Sequence, residues 1–141
     1  GNAVFVAAML ELPTMAFFTK MSEKINCGTL IKFSILMFCV KHALTYFATN
    51  MIMIYLAQVC QMFAYALFVP ASVYYVNEKI AVADRVKGQS LVTTSMTLSG
   101  VFANFTGGIM LDALGVGHVL LAGVILSIVG AVIVILTTEK V

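Results

Sequence analysis

Few side chains in this sequence can do chemistry, and two of them are ions set in apolar surroundings. Glu11 stands beside Pro13 in MLELPTMAFF, and Lys41 interrupts LMFCVKHALTYF. An ionised group in hydrocarbon needs a partner, a proton or water, so intramembrane ions tend to mark solute or ion pathways. Glu11 could bind a solute or carry a proton, with Lys41 as its counter-charge. The plainer alternative is a Glu–Lys pair that only locks two helices together. Pro13 deletes a backbone hydrogen bond, which is tolerated at membrane depth where side chains or water satisfy the freed carbonyl.

Amides and hydroxyls add to this set. Gln58, Gln61, Tyr65 and Ser72 recur at i, i+3, i+7 and i+14, one face of a helix. Lipid does not reward two amides and a phenol, whereas a protein interior with interhelical hydrogen bonds or a hydrated cavity does; cavity lining is the favoured expectation. Thr93, Thr97, Gly100 and Asn104 form a stripe on a later helix, with Asn104 deepest in its apolar run and a candidate for the same cavity. Ser95, Ser99, Ala103 and Gly107 form a separate small-residue seam, expected to let another backbone come close. Ser34, Lys41, Thr45 and Ala48 share a face with Phe38, and His42, about 100° round from Lys41, reads as a hydrogen-bonded packing residue. Cys27, Cys39 and Cys60 show no paired or metal-ligand spacing and read as small buried thiols. No HExxH, Walker loop or G-x-S-x-G is present, so neither an enzyme nor a bound cofactor or metal is expected.

These side chains must be held by elements suited to the solvent. The chain is 62% hydrophobic and 10% charged, against roughly 25% charged in soluble domains. A chain of this length has too little interior to hide that much apolar surface. An integral membrane protein follows, with the lipid bilayer as its surroundings and no nucleic-acid partner. Residues 43–76, 88–111 and 113–138 carry no Asp, Glu, Lys or Arg, and about 20 apolar residues suffice to span a bilayer. The pattern predicts five spanning helices at about 1–19, 28–48, 51–76, 88–111 and 117–136. Their joints are SEKINCG, ATN, NEKIAVADRVKG and DALGVG. The fold class is all-α, a polytopic membrane helix bundle.

Seven of the eight basic residues flank the first joint (Lys20, Lys24, Lys32), fill the third (Lys79, Arg85, Lys87) or follow the last helix (Lys140). Cytoplasmic loops are enriched in Lys and Arg, so those joints and the C-terminus are expected in the cytoplasm. Lys41 is the eighth. It lies about 19 Å past Gly28 at ~1.5 Å per residue, and Glu11 about 13 Å before Lys20 by the same rise. Both fall near the middle of a ~30 Å core. The fifth helix is apolar all round and is expected at the lipid-facing periphery. The chain opens on GNAVFVAAM, directly in an apolar run, and is expected to be a fragment of a longer polytopic protein.

Several stretches together have a familiar order: ELPTMAFF followed by KINCGTLIK, then VKHALTYFATN, then QMFAYALFVPASVYYVNEKI, then GQSLVTTSMTLSGVFANFTGGIMLDALG. The chain resembles the C-terminal half, eighth to twelfth helix, of a major facilitator superfamily transporter. Within that superfamily it is most similar to the branch of lactose permease, nucleoside–proton symporters and phenylpropionate-type permeases. The resemblance implies that residues 1–141 are a partial six-helix half of a twelve-helix carrier. Glu11 falls where that branch has a sugar-contacting glutamate, and Lys41 where it has a basic residue near the proton-coupling site. Gln61 and Ala64 replace a coupling histidine and a proton-carrying carboxylate, which points away from lactose and toward the phenylpropionate-like members.

The implied function is secondary active transport by alternating access: proton-coupled uptake of a small polar or organic-acid solute across the cytoplasmic membrane of a bacterium. The expected cavity is lined by Glu11, Lys41, Gln58, Gln61, Tyr65 and Asn104, with the missing N-terminal half completing it. The polar stripe favours a hydrophilic solute. Alternatives are an exporter of drugs or metabolites in the same superfamily and a non-transporting receptor or scaffold with sealed helices.

Overall fold

The structure is a computed structural model and describes residues 16, 18 and 20–139. Glu11, Pro13 and Lys140 lie outside the described residues. Residues 16, 18 and 20–22 are helical. Four long helices follow: α1 (Cys27–Tyr46), α2 (Met51–Lys79), α3 (Arg85–Leu114) and α4 (Val116–Thr137), with one 3-10 turn at Val82–Asp84. No strand occurs among the described residues, so the all-α expectation holds.

Local chemistry explains where the helices start and stop. The Met53 N–H donates to the Asn50 side-chain oxygen at 3.0 Å, which satisfies one orphan donor of α2's first turn. Pro70 sits inside α2 without ending it, leaving the Ala66 carbonyl without its usual donor. α2 runs three residues past its expected end, and α3 begins three before its expected start. The expectation bounded helices by apolarity. Backbone hydrogen bonding continues into water, where Asn77, Glu78, Lys79, Arg85 and Lys87 can all stay helical. The last joint shrinks further, from six residues to Gly115 alone, whose φ of 82° is a conformation that side chains disfavour.

The helices alternate in direction. Phe18, Leu30, Ile31, Leu67 and Ala71 form the buried cluster, with α1 laid against α2. Farther along the same pair, the Phe38 and Phe68 rings meet edge-on with centroids 6.4 Å apart. α1 also packs on α4, where the Cys39 thiol donates to the Ser127 carbonyl at 3.1 Å. Ser34, fully buried, donates to the Leu30 carbonyl at 2.8 Å and so leaves no orphan hydroxyl in the core.

α3 meets α2 near its own start. A Cβ on Gly88 would lie 2.5 Å from Ile80 Cδ1 and 2.9 Å from Val76 Cγ1, so only glycine permits that approach. The Gln89 amide donates to the Val73 carbonyl at 2.9 Å and fixes the crossing. Beyond this point α3 stands apart, and Gly88 is its one buried residue.

The basic residues gather at one end of the bundle. Lys79 pairs with Glu139, and Lys87 with Asp84 at 2.8 Å. The Glu139 N–H also donates to the Tyr75 hydroxyl at 3.3 Å. Its carbonyl oxygen lies so close to Gly28 that a Cβ there would overlap it. The C-terminal residues therefore clasp the start of α1 and the ends of α2 and α4 together. The hydrogen bond and charge of Lys79 hold the Glu139 carboxyl below its ordinary value.

α1, α2 and α4 are long and apolar enough to cross a membrane. α3, at 30 residues, is long enough but less apolar, because serine, threonine, glutamine and asparagine punctuate several of its faces. α4 buries only Ala131 and exposes side chains such as Leu126 and Leu136.

Candidate functional site

Depth can be read from the basic end of each helix. Lys41, Tyr65 and Ser99 each lie fourteen residues from the basic terminus of α1, α2 and α3. At ~1.5 Å per residue that is about 21 Å, well inside a ~30 Å core. Three polar side chains on three helices thus share one level.

At that level, and extending toward the basic end, a cavity of about 680 Å³ opens between the helices. α1 contributes Phe38, α2 contributes Tyr65 and Phe68, and α3 contributes Ser95, Met96 and Ser99. The cavity exists because α3 touches α2 only near Gly88 and Gln89 and then diverges. Its walls are mainly apolar, and three of them are aromatic rings. Tyr65 is 47% exposed, its face turned to this space.

Lys41 sits one turn beyond Phe38, away from the basic end, and is half-buried. Its side chain makes no hydrogen bond or ion pair among the described residues. Its carbonyl accepts from the Thr45 hydroxyl at 2.9 Å. Gln61 lies one turn from Tyr65 and Gln58 about a turn farther, both half-buried. Asn104 is exposed on α3, on the Thr93–Thr97 stripe. That stripe forms a separate shallow groove of α3 residues alone, including Thr94 and Val101. Tyr65 is thus the member of the expected set found on the cavity wall, with Lys41 and Gln61 a turn outside it.

Ser95 and Ser99 reverse their expected role. Their spacing predicts a packing seam, yet they face the cavity. Farther along the seam, a Cβ on Gly107 would meet nothing within 4 Å. A signal for this lay in the sequence: Ser95 and Ser99 fall at i+7 and i+11 from Gly88, on the face of α3 that meets α2. Phe38 and Phe68 carried no comparable mark, since aromatic residues in apolar helices are common.

A smaller gap of about 270 Å³ lies between α1, α3 and α4, where His42 faces Gly107, Ala122 and Gly123. The His42 ring lies beside Gly123 and makes no hydrogen bond among the described residues, contrary to the expectation of a hydrogen-bonded packing role. At the basic end, Arg85 and Asn77 border a hollow of about 490 Å³. The cysteines are free, with Cys27 buried and the others half-buried.

The arrangement is a membrane-depth cavity with a cation nearby, the kind of site a carrier needs. No curated protein and no solved structure matches the chain significantly. The family model of the Major Facilitator Superfamily matches residues 1–141. An all-helical fold with an intramembrane cavity between helices accords with that match, and the chain belongs to the Major Facilitator Superfamily of membrane transporters.

Proposed function

We propose that the protein is a proton-coupled secondary transporter, taking up a small polar or organic-acid solute by alternating access. Its proposed branch is that of the oligosaccharide-, nucleoside- and phenylpropionate-type proton symporters. The observation that carries this reading is Lys41: a half-buried cation at mid-membrane depth, unpaired among the described residues, one turn from the cavity wall. A charge at that depth is costly and persists where a counter-ion, water or an anionic solute meets it. Glu11 is the proposed proton carrier and Lys41 its counter-charge. Protonation of Glu11 would free Lys41 for solute, and this exchange would bias the rocking of the two halves.

Gln58, Gln61, Tyr65 and Asn104 are proposed to complete the binding and coupling set. The basic end, with the C-terminus, is proposed to face the cytoplasm of a bacterium, following the enrichment of Lys and Arg in cytoplasmic loops. The cavity supports a carrier over a sealed receptor or scaffold. Export through the same cavity is the second reading, favoured by the apolar walls around Phe38 and Phe68.

The test is uptake into proteoliposomes under an imposed pH gradient. Glu11→Gln should abolish proton-driven accumulation while retaining solute counterflow, and Lys41→Gln should lower both about tenfold or more. Coupled uptake unchanged in Glu11→Gln would remove Glu11 from the mechanism. Solute driven out by the inward proton gradient would establish export.

A further inference from the structure

The hollow at the basic end, between the end of α2 and the start of α3, runs on into a groove along α3. We infer that this pair of spaces binds an anionic phospholipid, with the phosphate against Arg85 and an acyl chain laid along α3.

Arg85 is the first observation. Its side chain makes no hydrogen bond or ion pair among the described residues, and its Nε is shut off from solvent without an acceptor. A buried donor left unmatched is costly, and a guanidinium meets phosphate oxygens with paired, charge-assisted hydrogen bonds. The neighbouring carboxylate does not serve it, because Asp84 is held by Lys87 at 2.8 Å.

The other groups around Arg85 are the second observation. The Gln89 NH2 donates to the Val73 carbonyl at 2.9 Å and to the Asn77 side-chain oxygen at 3.4 Å. The Asn77 NH2 is left without an acceptor, and the Ser90 and Thr94 hydroxyls have no partner among the described residues. No carboxylate among the described residues lines the hollow. One cation and three unused donors with no acid among them select an anion. Basic pockets between spanning helices are places where anionic lipid headgroups bind.

What lies deeper favours a lipid over a soluble anion. Thr93 and Thr94 line both the hollow and the groove, which continues past Thr97 and Leu98 to Val101. The Thr93 hydroxyl donates to the Gln89 carbonyl at 3.0 Å, and the Thr97 hydroxyl to the Thr93 carbonyl at 3.0 Å. Hydroxyls bonded back to their own helix leave their methyl groups to join Leu98 and Val101. Val101 lies sixteen residues from Arg85, about 24 Å along the helix, well inside a ~30 Å core. A cationic, donor-bearing end followed by an apolar strip running into the membrane has the outline of an amphiphile. A carboxylate from another segment of the full chain would answer Arg85 alone, and the experiment separates that case.

The test is native mass spectrometry of the full-length protein in detergent, titrated with dioleoylphosphatidylglycerol or dioleoylphosphatidylcholine. One phosphatidylglycerol should be held about tenfold more tightly than phosphatidylcholine, and Arg85→Gln should abolish that preference. Ser90→Leu, at an exposed position on the hollow's wall, gives the same readout should Arg85→Gln fail to fold. Thr97→Phe, which obstructs the groove, should weaken the lipid, and glycerol 1-phosphate should displace it poorly. Equal affinity for the two lipids, or a preference that survives both Arg85→Gln and Ser90→Leu, overturns the inference. Ready displacement by glycerol 1-phosphate, with Thr97→Phe without effect, assigns the hollow to a soluble anion and overturns the lipid. Retention of neither lipid shows Arg85 answered by the protein itself and overturns the inference as well.

Discussion

Replacing Gly88 with alanine tests how α3 is held against α2, and so how the cavity is framed. The added methyl would sit 2.5 Å from Ile80 Cδ1 and 2.9 Å from Val76 Cγ1. Ile80 Cδ1 is the tip of a flexible side chain and can swing aside. Val76 is β-branched and buried within a helix, so its rotamer is nearly fixed. Overpacking of this kind costs about 1–3 kcal/mol. Replacing a helical glycine by alanine recovers about 0.8–1 kcal/mol of backbone propensity. The net expectation is a destabilisation of about 1 kcal/mol. Gly107→Ala supplies the control, because its methyl would meet nothing within 4 Å, and the propensity gain should stand alone as stabilisation of up to about 1 kcal/mol. Denaturant titration of the purified protein in detergent, followed by circular dichroism, reads both. Should Gly88→Ala stabilise the protein as much as Gly107→Ala, the close contact between α2 and α3 does not exist in solution.

Two further outcomes follow from the ends of the helices. The Glu139 carboxyl is held below its ordinary value near 4.5 by Lys79, so the clasp contributes stability above that pH and loses it as pH falls through the depressed value. A carbon-13 titration of the Glu139 carboxyl should show an inflection below 4.5 that rises in Lys79→Gln; an inflection indifferent to Lys79 would contradict the pairing. Asn50→Ala removes the acceptor for the Met53 N–H and should cost about 1 kcal/mol; Asn50→Ser should restore most of it in the same denaturant assay.

Much of the fold was legible because a bilayer allows so few solutions. Charge-free runs around Ala57, Ser99 and Val129 had to be helices, since no other single segment satisfies its own backbone in lipid. The basic residues on either side of Gly28 and Ile80 had to share an end, and Lys79 meets Glu139 there. Apolarity says nothing of where hydrogen bonding stops, which is why α2 and α3 extend into the charged joint. It says nothing either of which face of α3 turns inward. That depends on one steric event, the Gly88 approach to Val76, and it placed Ser95 and Ser99 on the cavity instead of in a seam. Periodicity puts Gln58, Gln61 and Tyr65 on one side of α2, but a cavity of limited height reaches only Tyr65 of the three. Glu11 lies outside the described residues, so its part rests on transport measurements.

The central claim is that polar groups at mid-membrane depth border water-accessible space. Ser99→Cys, on the cavity wall and in a background lacking Cys27, Cys39 and Cys60, tests it directly through reaction with a membrane-impermeant thiol reagent in sealed vesicles. The account predicts modification that slows when transported solute is added. A thiol that reacts from neither side of the membrane, with or without solute, would contradict it.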